Sequence, residues 1–153
     1  MPHAYRIVKP KFASTAFDGE GAKLYGGRWN HKGSKIVYTS ASPSLAAIES
    51  FIHMGVSSKF IQHIIIKIEI PNEIIEVYDI SKLPKTWKTN PTSAICQAIG
   101  TDWATKQDSA VLALPSAVID MEINYLINPL HPDFFRIKEI RRQDFTYDER
   151  MWK

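Results

Sequence analysis

The stretch at 60–70, Phe-Ile-Gln-His-Ile-Ile-Ile-Lys-Ile-Glu-Ile, restricts the fold more than any other part of the chain. Strand alternation puts Phe60, Ile64, Ile66, Ile68 and Ile70 on one face and Ile61, His63, Ile65, Lys67 and Glu69 on the other. Pro71 stops it, because proline cannot donate to the next ladder bond. A chain that contains such a strand has to build a sheet around it, so the first question is what else can join that sheet.

Several shorter runs can. Residues 4–8 alternate Tyr5 and Ile7 with Arg6, and 35–40 place Ile36 and Tyr38 opposite Val37 and Thr39. Further strands are expected at 74–78, at the apolar run 110–117 with Pro115 disturbing its ladder, and at 125–127 and 135–140. The last two are separated by Asn128-Pro129 and His131-Pro132. One helix follows Ser42 as cap, with Pro43 at its first position and Gly55 past its end. Its apolar stripe is Leu45, Ile48, Phe51 and Ile52, and Glu49 falls on the flank of that stripe. A second helix is expected from Asn90-Pro91, with Ala94, Ile95, Ala98 and Ile99 inward and Gly100 ending or bending it near Trp103. Residues 9–32 read as a long loop-rich segment and 81–89 as loop. Strands cluster late and do not alternate regularly with helices, which favours an α+β domain over a βαβ fold.

With 153 residues and 44% hydrophobic content, the chain suits one domain with a sizeable core. It has no apolar run of the ~18 residues that would span a bilayer. Its first residues lack the basic-then-apolar order of a signal peptide. Cys96 is the only cysteine, so an intramolecular disulfide is impossible and a cytoplasmic location is expected. The net charge of +3 is mild. Arg136, Lys138, Arg141 and Arg142 form a basic cluster, but Glu139, Asp144, Asp148 and Glu149 interrupt or follow it. His31, His53, His63 and His131 lie far apart with no metal-ligand spacing, so no metal is expected. The glycines fit no phosphate-binding fingerprint, and Ser116 lacks the nucleophile elbow of hydrolases.

One loop stands out. Gly26-Gly27-Arg28-Trp29-Asn30 places an arginine after two permissive residues, and a guanidinium can grip an anion through two parallel donors. Tyr38 follows on the next strand and Glu49 on the next helix. Each also has a plain explanation: Arg28 as a salt-bridging loop residue, Tyr38 as a half-buried strand aromatic, Glu49 as a solvated helix residue.

The order of these motifs resembles the RES domain family over essentially the whole chain. The likeness rests on Tyr5-Arg6-Ile7, Gly26-Gly27-Arg28-Trp29-Asn30, Val37-Tyr38, Ser44-Leu45-Ala46 with Glu49, and Leu114-Pro115-Ser116-Ala117. It continues through Asn124-Tyr125-Leu126-Ile127-Asn128-Pro129, His131-Pro132-Asp133-Phe134 and the stretch 145–151. The family's arginine, glutamate and serine match Arg28, Glu49 and Ser116. The resemblance implies a single RES domain over 1–153 with a mixed β-sheet core and flanking helices, similar to ADP-ribosyltransferases. It implies a toxin of a bacterial toxin–antitoxin pair that consumes NAD+ as substrate, by hydrolysis, phosphorolysis or ADP-ribosyl transfer, without another cofactor. The implied partner is an antitoxin with an Xre-like DNA-binding region, with no direct nucleic-acid or membrane contact.

On that chemistry, Glu49 would stabilise the cationic ribose of an oxocarbenium-like transition state. Arg28 would hold the pyrophosphate or the neighbouring ribose, and Tyr38 would stack on the nicotinamide ring. Ser116 would orient a carboxamide, a ribose or the glutamate. Asn128 and His131 complete the expected NAD+-binding set, with turn residues beside Pro129 and Pro132 as their alternative reading. Two other functions stay open: a nucleic-acid-acting toxin such as an RNase, from the basic end, and a non-catalytic interaction module, from the four tryptophans.

Overall fold

The isoleucine strand lies inside a mixed sheet. In the computed structural model, which describes residues 1–152 apart from the side chains at 56 and 59, it runs over His63–Glu69 as β3. It pairs antiparallel with β1 (His3–Val8) on one side and β7 (Lys138–Phe145) on the other. With β2 (Val37–Ser40), β4 (Ile75–Val77), β5 (Val111–Pro115) and β6 (Ile123–Ile127), the seven-stranded order is β4-β5-β6-β2-β1-β3-β7. β4 and β5 are parallel, and the long connection this demands carries helix α3 (Ala94–Lys106). The remaining helices are the short α1 (Glu20–Tyr25) and α2 (Pro43–His53). The expected α+β class with a mixed sheet is what the chain adopts.

Register decides which side chains share a face. Ser40 pairs with Asn124 and Asn124 with Leu114, while Tyr38 pairs with Leu126 and Leu126 with Leu112. Because alternate residues point the same way, these six side chains line one face of the sheet. Trp29, Cys96 and Trp103 pack on that face against Leu112, Leu114 and Leu126. Val37, Val111 and Ile127 line the opposite face with Ala4, Ile66 and Ile68, in a second core cluster. The Ser42 hydroxyl accepts from Leu45 N at 3.1 Å, capping α2 where the sequence places its start. The helix then buries Leu45 and Ala46, whereas Ile52 of the expected stripe is exposed.

Four expectations need correction. The 60–70 strand begins only at His63; Val56–Phe60 is a 3-10 turn, and the Phe60 ring lies edge-on to Trp152 at 5.1 Å. The loop-rich segment holds a 3-10 turn at Pro10–Thr15 and α1, which buries no residue and so leaves no apolar period to read. The 135–140 strand is a 3-10 turn at Pro132–Arg136 followed by β7, whose first seven residues are exposed at the sheet edge. Finally, Asn90-Pro91 is a cis turn before α3, which Ser93 caps.

The register of α3 also differs. Ala94 and Ile95 face solvent, and the buried residues are Cys96, Gly100 and Trp103. Gly100 does not end the helix, which runs on to Lys106. It sits mid-helix because a Cβ there would lie 2.0 Å from the Trp29 carbonyl oxygen. The helix therefore rests directly on the loop that carries Arg28. Gly100→Ala should cost about 2–3 kcal/mol in denaturant unfolding, since overpacking against backbone cannot relax by a rotamer change. Gly21→Ala, where an added Cβ meets nothing within 4 Å, should be neutral or stabilising in the same assay.

Candidate active site

The Gly26-Gly27-Arg28-Trp29-Asn30 loop is shaped by Asn30, which is fully buried. Its amide nitrogen donates to the carbonyls of Ala22 at 2.9 Å and His31 at 3.0 Å. Its side-chain oxygen accepts from the Tyr38 hydroxyl at 2.7 Å, and that hydroxyl accepts from Trp29 N at 3.0 Å. Gly26 takes φ 74°, a left-handed conformation at the end of α1. Gly27 has another purpose: a Cβ there would fall 2.6 Å from the Tyr38 hydroxyl oxygen. Its missing side chain leaves room for the tyrosine of β2 and not for a ligand.

Arg28 is half-buried beside this knot. Nη1 donates to the carbonyls of Trp87 at 3.0 Å and Thr89 at 2.9 Å, so both of its protons are used. Among the described residues, Nε and Nη2 make no hydrogen bond, which leaves one edge of the guanidinium fork for an anion. The 84–92 loop that holds Nη1 is tied down by Trp87 on Trp29, ring centroids 6.4 Å apart, and by an ion pair from Lys88 to Asp120. Thr92 Oγ1 donates to the Arg28 carbonyl at 3.0 Å.

Burial raises the Tyr38 phenol above its ordinary 10.0, with the Trp29 amide and the Arg28 charge working in the opposite direction. Arg6 supports the strand from the other face, donating to the Tyr38 carbonyl at 3.0 Å and the Ala16 carbonyl at 2.7 Å. Burial lowers its guanidinium to about 10, while Asp18 pulls it up; it remains a cation at neutral pH.

Glu49 comes down from α2 onto the Tyr38 face. Its Oε2 accepts from Asn124 Nδ2 at 2.5 Å, and Asn124 Oδ1 accepts from Ser40 Oγ at 2.8 Å. Ser40 is two residues along β2 from Tyr38, a rise of about 7 Å. The structure thus brings Arg28, Tyr38 and Glu49 to one face. Each is partly exposed.

The other expected residues go elsewhere. Ser116 is fully buried, and its hydroxyl oxygen accepts from Val118 N and Ile119 N at 3.1 Å each, closing the turn between β5 and β6. It makes no hydrogen bond to Glu49; that role falls to Asn124. Asn128 lies beyond the other end of β6, donating to the Ala104 carbonyl at 3.1 Å and accepting from Leu130 N at 3.0 Å. His131 Nδ1 accepts from Asp133 N at 3.0 Å, capping the next 3-10 turn. Both serve the turn, as their flanking prolines allowed. Two cavities of about 450 and 250 Å³ lie away from the site, and neither is lined by Arg28, Tyr38 or Glu49. No group of three or more metal-ligating side chains occurs among the described residues, and no described helix is long and apolar enough to cross a membrane.

The family model for the RES domain matches residues 3–148. The chain belongs to the RES domain family. It is 37% identical over 150 residues to Toxin Res of Photorhabdus laumondii subsp. laumondii, covering 97% of this chain and 96% of that relative. It is 38% identical over 136 residues to the Prs ADP-ribosylating toxin of Sphingobium sp. (strain YBL2), covering 87% and 84%. In fold, this RES domain matches a chain in the crystal structure of the M. tuberculosis MbcT–MbcA toxin–antitoxin complex with a TM-score of 0.76 at 17% identity, covering 95% of this chain and 84% of that one.

Sequence reasoning missed Asn124 and Ser40 within this RES domain. The available signal was an asparagine beside an apolar run, where a poor strand former has to be held by a partner. Tyr38→Phe should destabilise the domain by about 1–3 kcal/mol, because buried Asn30 loses its donor. A phenol whose folded pKa is raised contributes stability that is complete below pH 10.0 and fades as pH climbs past that value. Burial shifts Tyr78, Tyr125 and Tyr147 the same way, so alkaline unfolding should become shallower in Tyr38→Phe without disappearing.

Proposed function

We propose that this RES domain is the toxin of a bacterial toxin–antitoxin pair and that it consumes NAD+ by breaking the nicotinamide–ribose bond. One observation carries the reading: the Glu49 carboxylate, held by Asn124, shares a face with Tyr38 and with an arginine whose Nε–Nη2 edge makes no hydrogen bond among the described residues. The Sphingobium relative, named for ADP-ribosylation, supports the same chemistry.

Cleavage draws electrons toward the departing nicotinamide and leaves positive charge on the ribose. A fixed carboxylate stabilises that charge more in the transition state than in the bound substrate, which is where rate is gained. Glu49 has that role, with Oε1 available to a ribose hydroxyl. Arg28 presents its Nε–Nη2 edge to the pyrophosphate, and Tyr38 offers its ring to the nicotinamide. NAD+ is substrate here, and the reaction needs no resident cofactor or metal. ADP-ribose then passes to water, phosphate or a protein side chain. In the cell, a cognate antitoxin with an Xre-like DNA-binding region neutralises the toxin in the cytoplasm.

Purified protein incubated with NAD+, with and without phosphate and cell lysate, should release nicotinamide, and mass analysis of the products identifies the acceptor. Glu49→Gln should lower kcat roughly a hundredfold or more with the fold intact. Arg28→Ala should raise KM for NAD+ about tenfold, the loss of one charge-assisted grip. Wild-type turnover by a folded Glu49→Gln protein would end this assignment.

A further inference from the structure

We infer that Asn124 and Ser40 are positioning residues that fix the Glu49 carboxylate in its working orientation; this rests on the NAD+-cleaving reading above. Both side chains are buried, Ser40 at 4% and Asn124 at 6% exposure, on a face otherwise built from Leu112, Leu114 and Leu126. Leucine would pack there without the desolvation that an amide and a hydroxyl suffer. Their hydrogen bonds give the reason for them.

An ionised carboxylate only accepts, so Asn124 has to turn its Nδ2 toward Glu49. That leaves Oδ1 on the other side, where Ser40 Oγ donates to it at 2.8 Å. The carboxylate therefore sets which way the amide faces, and the serine hydroxyl, which can donate or accept, holds it there by donating to Oδ1. Ser40 and Asn124 are direct register partners on adjacent strands, so the sheet itself sets their spacing. Among the described residues, Glu49 Oε1 makes no hydrogen bond. One oxygen is anchored and the other is presented, on a scaffold of two central strands. The 11-residue helix α2 alone would leave that carboxylate free to rotate about its side-chain bonds.

The test compares wild type, Asn124→Leu, Ser40→Ala and Ser40→Thr for NAD+ consumption and thermal unfolding. Asn124→Leu should lower kcat about tenfold or more with KM within about twofold, in a protein that stays folded but melts lower because buried Ser40 loses its acceptor. Ser40→Ala should lower kcat by a smaller factor, and Ser40→Thr, which keeps the hydroxyl, should restore it. A folded Asn124→Leu or Ser40→Ala protein with wild-type kcat overturns the inference, as does a change confined to KM. A second measurement needs no turnover: the side-chain amide resonances of 15N-labelled Asn124 should move in Glu49→Ala, and unchanged resonances overturn the proposal even if Asn124→Leu fails to fold. If wild type leaves NAD+ intact while those resonances move, the NAD+ reading fails and the positioning contact stands.

Discussion

The buried bond between the Tyr38 hydroxyl and Asn30 ties the arginine loop to the sheet. Asn30 has no exposed surface, and every polar atom of its side chain is matched. Without that bond the arginine loop would keep its contacts with α3 but lose its hydroxyl tie to β2. With it, the loop closes on a central strand, and Trp29 drops into the core beside Leu112 and Leu126. An unmatched amide oxygen at this depth costs about 1–3 kcal/mol. The neighbours on both sides set where the Arg28 backbone sits, and its own Nη1 bonds to Trp87 and Thr89 set the side chain.

Three side chains from a loop, a strand and a helix meet because each is placed by a different kind of force. Tyr38 is placed by strand register, which cannot slip by one residue without turning the whole face over. Glu49 is placed by helix packing and then corrected by a hydrogen bond from β6. Arg28 is placed by two carbonyls of a loop that is itself pinned by an aromatic stack and an exposed ion pair. The first two are stiff. The third depends in part on a surface charge pair, which contributes little at ordinary salt, so the arginine is the component with the most freedom.

Much of the sheet was legible because alternation survives wherever one face is buried. β1, β2 and β3 follow from it, while β5 follows from its unbroken apolar run and the start of α2 from Ser42-Pro43. What escaped had no such signature. β7 lies at an edge with residues exposed on both sides, and α1 buries nothing, so neither carries a period. α3 was misread for a different reason: its inner face is Cys96, Gly100 and Trp103, and a glycine that makes the closest contact scores as nothing in an apolar count. Arg28, Tyr38 and Glu49 stand out by chemistry and order, and the structure places them on one face. The bond from Asn124 to Glu49 could not be read, because it depends on strand pairing, and neither could the turn that the Ser116 hydroxyl closes.

Gly100 is where α3 and the Trp29 backbone touch with no side chain between them. Such a joint has no slack. The helix cannot roll about its axis or slide along it without carrying the loop, and Gln97 and Thr101 on the same helix grip that loop at the Gly27 carbonyl and the His31 amide. Loop and helix are therefore joined at three points, so a substitution on the inner face of α3 also disturbs the backbone that carries the arginine.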